Sequence, residues 1–184
     1  FGPFVECIPC KRKYCPRCSD SARKKQSSKL KHCLTQVREA GLEVIFATFT
    51  LSSTGKDVGE QWRELSNAWC RFWKKGPWFK RRGYFWKAHV VEVGENGLVH
   101  IHALIAMKSW GSGLKQEFVE RWRAAAKRVG ALAVDEHGLH LNCVPEDDDK
   151  RVAQYLCKAT KYETFPSPLL RQCVQDLKGV RRYT

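Results

Sequence analysis

The chain has 184 residues, enough for one domain with a real core and a small appendage. Hydrophobic residues make up an ordinary 43%, but 33 Lys and Arg stand against 19 Asp and Glu, leaving a net charge of +14. That excess selects an anionic partner, with nucleic acid ahead of an anionic membrane surface, and no apolar run of about 18 residues is present to cross a bilayer.

The opening "FGPFVECIPC" lacks the charged and apolar regions of a signal peptide and carries no initiator Met, so a piece of a longer protein is expected. Residues 7–18, "CIPCKRKYCPRC", form a compact knuckle. A basic helix is predicted over 20–40, opening at Asp20 or Ser21 and stopped by Gly41. "LEVIFATFTLS" (42–52) is β-branched and aromatic and predicts a strand. Residues 56–75 predict a helix, with Trp62, Leu65 and Trp69 on one face, broken by "GPW" at 76–78. "YFWKAHVVEV" (84–93) and "LVHIHALIAM" (98–107) are two strands of a hairpin around "GENG". A helix over 114–130 ends at Gly130, a strand follows within 138–146, and a helix over 147–163 opens on three aspartates that suit the positive end of its dipole. A short helix is predicted at 168–178. This order predicts an α+β fold, an antiparallel sheet covered by helices on one face, nearest to the ferredoxin-like (RRM-like) arrangement.

Cys7, Cys10, Cys15 and Cys18 form C-x2-C-x4-C-x2-C, two pairs able to grip one tetrahedral Zn²⁺ in a closed, structural site. His32 or Cys33 standing in for one of them, an iron-sulfur site and two disulfides are the other uses of this pattern. The other cysteines, Cys33, Cys70, Cys143, Cys157 and Cys173, are scattered, and nine is an odd number, which favours a reducing, cytoplasmic compartment over disulfides.

In "VHIHALIA" (99–106), period-two alternation puts His100 and His102 on one face of a strand. Such a pair is ordinarily just a solvated face. Here Glu92 lies across the hairpin near His100, and two imidazoles with one carboxylate make an open, catalytic metal site. His89 alternates to the opposite face.

Three motifs in order resemble the HUH endonucleases, in particular the rolling-circle replication initiators of plasmids and phages. The first is "FATFTLS" (46–52) with Thr48 and Thr50, the second is "HIH" (100–102), and the third is "VAQYLCK" with Tyr155 and Lys158 on a helix. "YCPRCSDSARK" is similar to the segment that precedes the first motif in one plasmid branch, so the likeness spans roughly residues 7–163. The resemblance implies a metal-dependent DNA endonuclease and strand transferase that nicks and joins single-stranded or origin-hairpin DNA. It implies Tyr155 as nucleophile, Lys158 as a phosphate contact, Mn²⁺ or Mg²⁺ on His100, His102 and Glu92, and a host helicase as partner. Tyr162 follows Tyr155 by seven residues, about 10 Å along a helix, and is read as packing or DNA contact. Some relatives carry Glu one turn before the tyrosine; here Arg151 stands there. The expected organisation is a four-cysteine zinc knuckle with a basic helix (1–40), an HUH core (41–165) and a C-terminal extension (166–184) continuing in a longer protein.

The cations and rings of "RFWKKGPWFKRRGYFWK" (71–87) offer Trp73, Trp78, Lys80, Arg81 and Arg82 as DNA contacts, though most such rings serve as core. Two other functions compete: a transposase of single-stranded DNA elements, and a non-enzymatic zinc-containing DNA-binding module.

Overall fold

The computed structural model describes residues 16–52, 55–74, 76–81, 83–94, 96–111, 113–131 and 138–157. The Cys7, Cys10 and Cys15 positions, Arg82, Lys158, Tyr162 and the predicted helix at 168–178 lie outside the described residues, as do the side chains of Cys18 and Lys80.

Helix α1 runs Pro16–Glu39, four residues earlier than predicted at its start. Proline suits the first helical position, where its missing N–H breaks no bond. Gly41, at φ 68°, ends α1 through two bonds, Leu42 N–H to the Val37 carbonyl at 3.1 Å and Gly41 N–H to the Arg38 carbonyl at 2.8 Å. This pairing closes a helix on a left-handed residue, which glycine adopts without a Cβ clash. Strand β1 (Glu43–Thr50) follows. Helix α2 (Val58–Trp73) opens on a reciprocal cap: Glu60 N–H donates to Asp57 Oδ1 at 2.7 Å and Asp57 N–H to Glu60 Oε2 at 3.4 Å.

"GPW" does more than break α2. Residues Gly76–Arg81 form a second short helix, α3, because Pro77 in a first turn starts a helix as readily as it ends one. Strands β2 (Tyr84–Val93) and β3 (Val99–Met107) make the hairpin. Its turn is held by Gly94 N–H to the Leu98 carbonyl and Gly97 N–H to the Gly94 carbonyl, both 2.9 Å. Helix α4 (Leu114–Lys127), strand β4 (Leu139–Val144) and, after a 3-10 turn, helix α5 (Asp149–Leu156) complete the described chain.

The sheet order is β2-β3-β1-β4, with every neighbouring pair antiparallel. Read from β4, this is the ferredoxin-like order, so the α+β expectation holds. The covering differs from the prediction, because helices lie on both faces. Ile45, Ala47 and Phe49 of β1 and Ile101, Ala103 and Ile105 of β3 bury one face against α2 and α4. Phe49 packs edge-on to Trp69, Phe72 and Trp122 at 5.0, 5.3 and 4.9 Å between ring centres. Edge-to-face pairs add about 0.5–1.5 kcal/mol each beyond their buried area.

On the other face, Val44, Leu104, Ala106, Val90 and Val144 pack under Leu30, Leu34 and Val37 of α1 and Ala153 and Leu156 of α5. Alternation explains why both faces are apolar over this half of the sheet. Arg38 of α1 fixes the start of α5. Its guanidinium donates to both Asp149 carboxylate oxygens, at 3.3 and 2.9 Å, and to the Val144 carbonyl at 2.7 Å.

Candidate active site

Beyond the half covered by α1 and α5, the same sheet face turns polar. The β1–β3 register sets Thr48 opposite His102 and Thr50 opposite His100, and the β2–β3 register sets Glu92 opposite His100. Register partners share a face, so all five side chains converge there. Glu92 Oε2 lies 4.0 Å from His100 Nε2 and only 3.0 Å from His102 Nε2. The carboxylate therefore leans diagonally toward the second histidine.

Among the described residues, His102 is the buried polar residue, at 6% exposure. Its Nδ1 is hydrogen-bonded to the Thr48 hydroxyl at 3.0 Å. Its Nε2 makes no hydrogen bond, although Glu92 is close. A buried ring nitrogen left without a hydrogen bond costs about 1–3 kcal/mol unless something accepts its lone pair. One donor atom from each of Glu92, His100 and His102 falls within 4.8 Å of the other two. Two imidazoles and a carboxylate form a mixed nitrogen–oxygen set that suits a first-row divalent ion, so these residues fit a metal. When Nδ1 carries the proton and donates to Thr48, Nε2 is left as the ligand atom.

Helix α5 brings Tyr155 over this cluster. Its ring is edge-on to His102 at 5.3 Å and edge-on to Phe46 at 5.6 Å, while Phe46 stacks on His102 at 5.6 Å and 20°. Phe46 thus contacts both rings. At 42% exposure, Tyr155 is open to a large substrate. A cavity of about 260 Å³ beside it is lined by Phe46, Arg151, Val152 and Tyr155. Arg151 is exposed and pairs with Asp148 at 2.8 Å.

The other sequence candidates sit elsewhere. Trp73 and Trp78 pack into the helical layer on the opposite sheet face. Trp73 stacks on Phe79 at 4.3 Å, and Trp78 donates from Nε1 to Glu117 at 2.7 Å beneath the Arg121 guanidinium. Arg81 is exposed on α3. His89, in register with Ala103, faces away from Glu92, and burial holds its imidazole down at about 4. Three residues of the site face escaped sequence reasoning: Phe46, Thr48 as a partner of His102, and exposed His140, in register with Thr48 on β4. Period-two counting from Thr48 reaches Phe46, but pairing with the histidines needs the register.

A ferredoxin-like antiparallel sheet carrying a His-x-His pair and a carboxylate on adjacent strands is the core of the HUH class. Within it, a family model described as replication protein, Rep_1, matches residues 4–182, and the chain belongs to this family. No curated protein and no solved structure matches the chain. Among the described residues, no helix is long and apolar enough to cross a membrane.

Proposed function

We propose that this replication protein nicks and rejoins one DNA strand at an origin, with Tyr155 as nucleophile and His100, His102 and Glu92 as ligands of Mn²⁺ or Mg²⁺. The family supplies the coarser statement, a rolling-circle replication protein that binds DNA and nicks it, and it favours an initiator over a transposase. The observation that carries the finer reading is the 5.3 Å edge-on approach of the Tyr155 and His102 rings beside the carboxylate.

A tyrosine hydroxyl titrates near about 10 and is a weak nucleophile. A divalent ion at the cluster would supply the Lewis acidity that polarises the phosphate. Tyr155 Oη attacks phosphorus and its proton passes to solvent. The bond from phosphorus to the 3′ oxygen breaks, and that oxygen leaves with the electron pair and takes up a proton as a 3′-OH. The product is a 5′-phosphotyrosine, whose ester keeps the bond energy needed for a 3′-OH to rejoin the strand without ATP. Phe46 is in contact with both the Tyr155 and the His102 rings. Lys158, three residues after Tyr155 in the sequence, would hold the scissile phosphate. Cys7, Cys10, Cys15 and Cys18 would hold a structural Zn²⁺ outside this chemistry.

A labelled single-stranded origin oligonucleotide with Mn²⁺ tests the nucleophile. Wild type should yield a covalent adduct, and Tyr155→Phe should yield none while keeping its fold and DNA affinity. An adduct in Tyr155→Phe, or peptide mapping to Tyr162, overturns the assignment. For the knuckle, elemental analysis of reduced protein should find about one zinc per chain, falling in Cys15→Ser. Zinc-free wild type removes that site.

A further inference from the structure

On the sheet face away from His100 and His102, a cleft of about 690 Å³ opens between α2 and the edge strand β2. Trp62, Trp69, Trp73 and Lys74 line it from the α2 side, and Lys87 and His89 from β2. The volume lies in the range of small-ligand sites, and no carboxylate lines the walls. Lys87 Nζ lies 4.1 Å from the centre of the Trp73 ring and 5.2 Å from that of Trp69. Among the described residues, no ion pair involves Lys87.

These facts pose an energetic problem. Burial of an ammonium without a counter-anion is unfavourable, and the two indoles offset only part of it through their ring faces. Burial lowers the Lys87 ammonium to about 8, with Cys70 acting in the opposite sense. His89 stays neutral near pH 7, so the cleft presents two ammonium groups, indole rings and a neutral imidazole. A ligand that answers all of these carries an anion and a flat aromatic ring together, which is the chemistry of a nucleotide.

We propose that this cleft is a second DNA contact that holds one unpaired nucleotide of the substrate strand, its phosphate on Lys87 and Lys74 and its base against the indoles. An unpaired base is required because in a duplex the ring faces are stacked and cannot enter a recess. Glu92 faces the cluster and its neighbour Val91 lines the cleft, so a strand passing over the edge of β2 reaches both. The inference rests on the reading that the DNA strand lies at His100 and Glu92, and it gives the basic, aromatic 71–87 stretch a role that the cleavage chemistry leaves open.

The test is fluorescence anisotropy of a labelled oligothymidylate with the full chain in EDTA, which keeps cleavage and the metal ligands out of the measurement. Lys87→Met, which keeps most of the stem and removes the charge, should weaken binding about tenfold and lower the salt slope by about 0.7. Lys87→Arg should recover most of the loss. On wild type, isotope-labelled lysine NMR should show Lys87 titrating higher once the oligonucleotide is bound, a readout that survives if Lys87→Met fails to fold. Thymidine monophosphate should compete only weakly. Wild-type affinity in folded Lys87→Met, an unmoved Lys87 titration, or equal affinity for the mononucleotide would each overturn the proposal. None of these outcomes bears on whether Tyr155 forms the adduct.

Discussion

The hydroxyl of Thr48 reaches His102 from the neighbouring strand and fixes what the buried ring can do. If Nδ1 is the protonated nitrogen, Nε2 is the atom that could take a metal, and rotation of the ring loses both arrangements at once. Thr48→Val removes the hydroxyl and keeps the β-branched shape, so the strand should be preserved. Loss of such an outer partner typically costs 10–100-fold in metal affinity. Calorimetric titration with Mn²⁺ should therefore show a weakening of about that size for Thr48→Val and a smaller one for Thr48→Ser. Unchanged Mn²⁺ affinity in the valine variant would mean that Thr48 does not orient His102.

Among elements, α5 is the short one with the most to hold, since it carries Tyr155 on eight residues. A helix of two turns is not stable alone, so its placement depends on tertiary contacts. Ala153 and Leu156 anchor its apolar side, and the Arg38–Asp149 pair anchors its start. Arg38→Met keeps the stem but leaves Asp149 and the Val144 carbonyl without this partner. Hydrogen bonds to charged groups of this kind are worth about 1.5–3 kcal/mol, and urea denaturation should show a loss in that range. If docking of α5 sets the position of Tyr155 and the proposed nicking holds, adduct formation should slow further than the loss of folded protein explains, with Mn²⁺ affinity unchanged. An adduct rate equal to wild type under conditions where both are fully folded would detach α5 docking from the chemistry.

For the molecule as a whole, the sequence was most legible where the signal is local. Alternation in "VHIHALIA" predicts the shared face of the histidines, the "GENG" turn sets the hairpin, and Gly41 and Gly130 mark helix ends. Gly130 stands at φ 77° just past α4, whose last helical residue is Lys127. The second helical layer was not legible. Leu30, Leu34 and Val37 announce an apolar stripe on α1, but nothing near them in sequence says that it meets Ala153 and Leu156 on α5. Trp73 and Trp78 show the opposite difficulty: rings beside cations look the same in sequence whether they meet DNA or pack against the core, and only the structure shows that both pack against the core while Trp73 also lines the cleft. The candidate site was half visible. Its histidines, Glu92 and Tyr155 follow from pattern and resemblance, whereas Phe46 and the Thr48 hydrogen bond follow only from how β1 aligns with β3.

The Arg38–Asp149 clamp joins residues 111 positions apart in the chain. During synthesis at about 5–20 residues per second, roughly 6–20 s separate the appearance of the two. The β2–β3 hairpin, with Glu92, His100 and His102 on it, emerges well before that, and hairpins close in about 1–10 μs. A growing chain thus has its histidines and carboxylate able to pair in the hairpin while the helix that carries Tyr155 has yet to leave the ribosome. Termination anywhere between Met107 and Asp149 would release a protein with the cluster but without the tyrosine.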